Sequence, residues 1–160
     1  MFTKSGIAQL HSATHESLDV LLAHVGTVPD HLLRQSLPGF GFPTVWRQLV
    51  HILTVEEGWV HDLQFKPFDG WFDEDCPTID TLRAAKERIR NETRAYLAGL
   101  TEAQLNTILP ERPEGWFGEL RSPAFILFHV ITHAFHHKGQ MVAMLRTLGH
   151  PAPDTDLQRG

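Results

Sequence analysis

The chain has 160 residues, of which 42% are hydrophobic and 21% charged, with a formal net charge of −5 when histidines are neutral. This is the balance of one ordinary globular domain, and the absence of any Lys/Arg cluster excludes a nucleic acid as partner. No run approaches the roughly 18 consecutive apolar residues of a membrane span. The opening MFTKSGIAQL is too mixed for a signal peptide. The lone Cys76 cannot pair internally, suits a reducing compartment and reads as an incidental surface or half-buried thiol. The expectation is a cytoplasmic protein with neither membrane nor nucleic-acid partner.

Ile7, Leu10, Ala13, Leu18, Leu21, Leu22 and Val25 recur at helical spacing and predict a first helix over 5–25, stopped by Gly26 and Pro29. A loop dense in turn formers follows at 37–43. A second helix is expected from about 43 to 65, started by Pro43 or Thr44 and ended by Pro67. The acidic, aromatic segment 66–77 reads as a connecting loop. Thr78 looks like an N-cap, opening a third helix over 79–97 on which Arg83, Lys86, Glu87, Arg90 and Arg94 mark a solvated outer face. Residues 99–121 hold Gly99, Pro110, Pro113, Gly115 and Gly118 and form the longest irregular stretch, with room for a short hairpin over 111–118. Ser122 and Pro123 open the fourth helix and Gly149 closes it. There is no internal repeat and no alternating strand pattern. The fold class is all-α: a single domain over 1–160, a four-helix bundle with a longer irregular connection before its last helix.

Eleven histidines are spread along the chain, and four of them, His129, His133, His136 and His137, lie within nine residues of the last helix. A buried imidazole needs a hydrogen-bond or metal partner, so crowding several on an apolar helix asks for a shared purpose. On a helical wheel Ile126, Val130, Ala134, Met141, Leu145 and Leu148 share one arc. His137 lies within it, His133 at its near edge, and His129 and His136 farther out. His133 and His137 are one turn apart and can reach a common point. Such a pair serves as a satisfied core feature about as often as it binds a metal, so a third ligand matters. Single histidines available elsewhere are His11, His15, His24, His31, His51 and His61. His51 is mid-helix in Leu49-Val50-His51-Ile52-Leu53, whereas His61 sits near a helix end beside Asp62 and reads as exposed. Gly58, seven residues after His51 on the same face, either leaves room for a ligand or allows close helix packing. Glu56 and Glu57 point away from His51 and are set aside as ligands. His51, His133 and His137 are therefore the expected ligands of one divalent transition metal.

The run His133-Ala-Phe-His136-His137-Lys138-Gly139-Gln140, followed by an apolar turn and Gly149, resembles the last-helix signature of the DinB/YfiT-like family. The stretch Thr44-Val45-Trp46-Arg47-Gln48-Leu49-Val50-His51-Ile52-Leu53 resembles that family's second helix. Lys138 stands where arginine is commoner. The resemblance implies a four-helix bundle, often dimeric, with a three-histidine site for nickel, zinc or a similar ion, and it maps those ligands onto His51, His133 and His137.

Three neutral imidazoles leave coordination positions open, as catalytic metal sites do, and a metal there activates water, a thiol or a carbonyl. His129 and His136 are candidates for groups behind the ligands or for proton transfer; each serves equally as a solvated or interface histidine. Gln140 either orients a ligand or bridges two helices. The resemblance implies a metal-dependent enzyme of thiol-dependent transferase or hydrolase type, acting on a small-molecule substrate with a low-molecular-weight thiol. The alternative is a stress-related metal-binding bundle without catalytic activity. A di-iron carboxylate bundle is excluded because no Glu-x-x-His pair occurs. Trp46, Trp59, Trp71 and Trp116, with ten phenylalanines, exceed what one small core absorbs and predict a homodimer.

Overall fold

The computed structural model describes residues 1–111, 113 and 119–157. Four long helices, α1 (Lys4–Val25), α3 (Val45–Leu63), α4 (Ile79–Gly99) and α6 (Pro123–Thr147), carry the fold, with two short ones, α2 (Asp30–Leu33) and α5 (Glu102–Asn106), in the connections. No strand occurs among the described residues. Both α1 and α3 pack against α4 and α6, which closes the four long helices into a bundle.

The helix starts follow from local chemistry. Thr3, Thr44, Thr78 and Ser122 are N-caps, and their hydroxyls accept from the backbone N–H of Gly6, Arg47, Thr81 and Phe125. Pro123 then fills the first turn of α6, where a missing N–H costs nothing. The end of α6 is a Schellman turn: Gly149 sits at φ 80°, its N–H bonds the Arg146 carbonyl, and the His150 N–H bonds that of Leu145.

Two hydrophobic clusters stack along the bundle. The larger gathers Leu18, Leu22, Trp46, Leu53, Leu82, Ile89, Met141 and Leu145, and the smaller gathers Ile7, Val60, Leu63, Leu97, Leu105, Ala124 and Leu127. On α1, α3 and α4 the positions between these clusters are polar and buried: His11, His15, Glu56 and Thr93. The core is thus interrupted by a polar layer.

Several expectations need correcting. Lys86 is not on a solvated face but 1% exposed. It lies one turn after Leu82 and one turn before Ile89 and Arg90, on the inward side of α4; its stem is buried and its ammonium reaches out to Asp19 at 2.7 Å and Glu87 at 2.8 Å. Arg90 is also half-buried. The 99–121 connection contains α5, started by a Thr101/Gln104 capping box that composition alone obscured. Cys76 is buried, and that burial pushes its thiol pKa up. A Cβ on Gly58 would come within 3.1 Å of the Phe68 ring, so this glycine permits close packing rather than space beside His51. The hairpin expected over 111–118 falls on residues 112 and 114–118, which lie outside the described residues.

Candidate metal centre

Helix α3 supplies His51 and α6 supplies His133 and His137, and the packing of these two helices brings the three rings together. Ring centroids lie 4.4 Å apart for His133 and His137, 4.6 Å for His51 and His137, and 4.9 Å for His51 and His133. One ring nitrogen from each residue falls within 4.8 Å of the other two. The Nε2 atoms of His51 and His133 are 3.2 Å apart. Two nitrogens on one tetrahedral ion, each about 2.05 Å from it, are separated by roughly 3.3 Å, so these donors fit a shared first-row ion.

The electrostatics favour the ligating form. Burial, then the neighbouring imidazoles, push the pKa of His133 down to about 3 and that of His137 to about 4. His51 is also lowered, by burial first and then by Arg47. Each ring is therefore neutral near pH 7, with a lone pair to offer.

The decisive detail is on the far side of His137. Its Nδ1 lies 2.5 Å from the Gln48 side-chain oxygen. Gln48 is 0% exposed, and its amide nitrogen donates to the Phe42 carbonyl at 2.7 Å and to Gln140 Oε1 at 2.9 Å. Those two acceptors fix which end of the amide is oxygen. The proton of His137 must then sit on Nδ1, which leaves Nε2 bare. Gln48 was not singled out from sequence, although its place one turn before His51 was a usable signal.

Gln140 bridges helices, accepting from Gln48, and its amide donates to His136 Nε2 at 2.7 Å. His136 is exposed, whereas His129 is half-buried, 5.7 Å from the His133 ring and edge-on to Trp59. From the 37–43 loop, Phe42 stacks on His51 at 3.8 Å between centroids. Lys138 is buried and points elsewhere, donating to Ser17 Oγ and the Thr155 carbonyl.

His61, expected to be exposed, is half-buried; its Nδ1–H donates to the Pro67 carbonyl at 3.1 Å and its Nε2 lies 3.4 Å from Glu92. Glu57 shares that corner, but its carboxylate is already engaged by Arg88 and by the Trp71 indole N–H. Those bonds hold its pKa low against the desolvation that raises it.

Sequence reading also missed a second cluster. His11 and His15, one turn apart on α1, meet Glu56 of α3, and all three are buried. His11 Nε2 is 2.7 Å from Glu56 Oε1 and His15 Nε2 is 3.0 Å from Oε2, while the Thr93 hydroxyl donates to Oε1 at 2.8 Å. Glu56 does face away from His51, as the helical wheel indicates, but toward another pair of histidines. The i, i+4 spacing on α1 carried the signal.

No curated protein matches this chain at a significant level. A model of the DinB family matches residues 1–160, the whole chain, and in this all-helical frame with its convergent histidines the protein belongs to the DinB family.

Proposed function

We propose that the protein is a metal-dependent enzyme whose divalent ion is held by His51, His133 and His137. The observation that carries this reading is the His137–Gln48 bond, which selects the one tautomer whose Nε2 can ligate. Three neutral nitrogens suit zinc or nickel. An ion so held keeps open positions and supplies Lewis acidity toward water or a thiol. Around it this chain supplies a ring stacked on His51 (Phe42), a half-buried imidazole (His129) and an exposed one tied to Gln140 (His136). His129 and His136 are the groups placed to hold or pass a proton at the rim. The reaction class is transfer or hydrolysis on a small-molecule electrophile, with a low-molecular-weight thiol as co-substrate.

A second reading, a stress-related metal-binding bundle without catalysis, draws support from Phe42, whose ring covers one side of His51. Among the described residues no helix is long and apolar enough to cross a membrane, which fits action in the cytoplasm. The test is to strip the protein with chelator, reload it with zinc or nickel, and assay thiol addition to a panel of electrophiles. Metal-dependent turnover supports the enzyme. A large loss of thermal stability on stripping, with no turnover in any reloaded form, supports the binding bundle.

A further inference from the structure

The polar layer between the two hydrophobic clusters has no part in the reading above. Three of its members, His11, His15 and Glu56, are 3%, 0% and 3% exposed. A carboxylate so deep in a core is costly unless a cation or several donors meet it. Its hydrogen-bond partners among the described residues are His11, His15 and Thr93, with no Lys or Arg touching it. Of the two buried ammoniums, Lys86 is engaged by Asp19 and Glu87, and Lys138 by Ser17 and the Thr155 carbonyl. Among the described residues His15 Nδ1 has no hydrogen-bond partner, so the hydrogen bonding of this buried ring runs through Nε2 toward Glu56.

Two imidazole nitrogens and one carboxylate oxygen converge here within 4.8 Å. That donor set, two histidines and a carboxylate, is one that first-row divalent ions accept readily. The Thr93 hydroxyl donates to Oε1 of that carboxylate, the kind of hydrogen bond that holds a ligating group in place. We propose that His11, His15 and Glu56 form a second divalent-metal site, buried and structural, which ties α1 to α3 in the middle of the bundle. Bound there, the ion would take the place of the two Nε2–H donors: each neutral imidazole would ligate through Nε2 with its proton on Nδ1, and the ion's charge would be met by the Glu56 carboxylate, which no Lys or Arg among the described residues pairs with.

The test uses full-length protein, Zn(II) and Co(II) as probes, and metal content per chain after gel filtration. Wild type should hold two equivalents. A His51→Ala/His137→Ala double variant should hold one, with Co(II) absorption and X-ray absorption fitting mixed nitrogen and oxygen ligation. Adding Glu56→Gln to that double variant should take the content to none; if it fails to fold, His11→Asn serves in its place. The X-ray absorption of the metal in the double variant reports the ligand set without any core substitution. A double variant without metal overturns the second site, while one equivalent in wild type, lost in the double variant, leaves the His51 site standing. One equivalent that survives in the double variant and is lost with Glu56→Gln supports the second site and sinks the first.

Discussion

Gln48 and His137, on helices that approach from opposite sides, are joined by a 2.5 Å hydrogen bond in which the imidazole Nδ1–H donates to the amide oxygen. Gln48 has no solvent to turn toward, and both of its amide protons are committed to Phe42 and Gln140. The ring of His137 is thereby locked in rotation and in tautomer.

Removing that lock should loosen the metal without unfolding the protein. Gln48→Ala is expected to weaken zinc affinity by about 10- to 100-fold, the usual cost of losing a partner behind a metal-bound histidine. Competition against a chromogenic chelator measures it. Affinity equal to wild type would show that the amide does not position the ligand.

His51→Ala and His137→Ala should each abolish stoichiometric metal binding at the three-histidine site while circular dichroism stays helical. Both rings meet each other and Phe42, and His51 is only half-buried. His61→Ala should leave metal content intact, because His61 faces Pro67, Phe68 and Glu92 rather than the trio. Elemental analysis of the three purified variants decides between these outcomes.

The sequence made the four long helices readable because each begins at a side chain that caps its own backbone and ends at a glycine, proline or turn. The His133/His137 pair was equally visible, since i, i+4 spacing is a property of a single helix. What stayed hidden depends on pairings between helices. A helical wheel compares Glu56 only with His51 on its own helix, and no wheel shows that α1 brings His11 and His15 to its other side. Gln48 was overlooked because glutamine in a helix reads as surface until the opposing helix is in place. Lys86 misled for a related reason: a charged type on a charged helix hid a position in register with Leu82 and Ile89.

Lys86 gives a test of that last point. Its stem lies among Leu18, Leu22, Leu49, Ile52 and Leu53, whereas Asp19 and Glu87 are half exposed and can be rehydrated if the ammonium is lost. Lys86→Ala should cost about 2–4 kcal/mol through the cavity it leaves. Lys86→Met, which refills most of that volume, should cost less than about 1.5 kcal/mol. Urea unfolding compares them, and equal losses would mean that charge rather than packing holds this residue.

The protein is expected to be a homodimer. Trp46 is absorbed by the core, but the tilted rings of Phe2 and Phe128 meet at 5.6 Å while each stays 38% exposed, and Phe125, one turn before Phe128, is 47% exposed. This apolar end of α1 and α6 is the expected interface. Light scattering at tens of micromolar, roughly the range where specific interfaces are populated, should give twice the monomer mass, and Phe128→Asp should halve it. A monomeric wild type would refute the expectation.

The metal-free protein should lose stability as the pH drops below about 6.5, well before carboxylates begin to protonate. In the unfolded chain histidine titrates at its ordinary 6.5, whereas in the fold His133 is held down to about 3 and His137 to about 4. Between those values the unfolded state binds protons that the native state refuses, so acid favours unfolding. The stabilising difference is fully present above 6.5, is lost as pH falls, and stops changing once the folded pKa values are passed. His15 and His51, also lowered, act in the same direction. Each such histidine contributes at most about 1.4 kcal/mol per pH unit. Urea titrations in chelator at pH 7.5, 6.5 and 5.5 cover this window, which lies above the ordinary carboxylate range of about 4. A His133→Ala/His137→Ala variant should show a visibly shallower slope than wild type. With zinc bound the loss should be steeper still, since three protons compete for one ion. Stability that is flat from pH 7.5 to 5.5 without metal would mean that these imidazoles are not held neutral by their burial, and the cluster would have to be protonated and solvated instead.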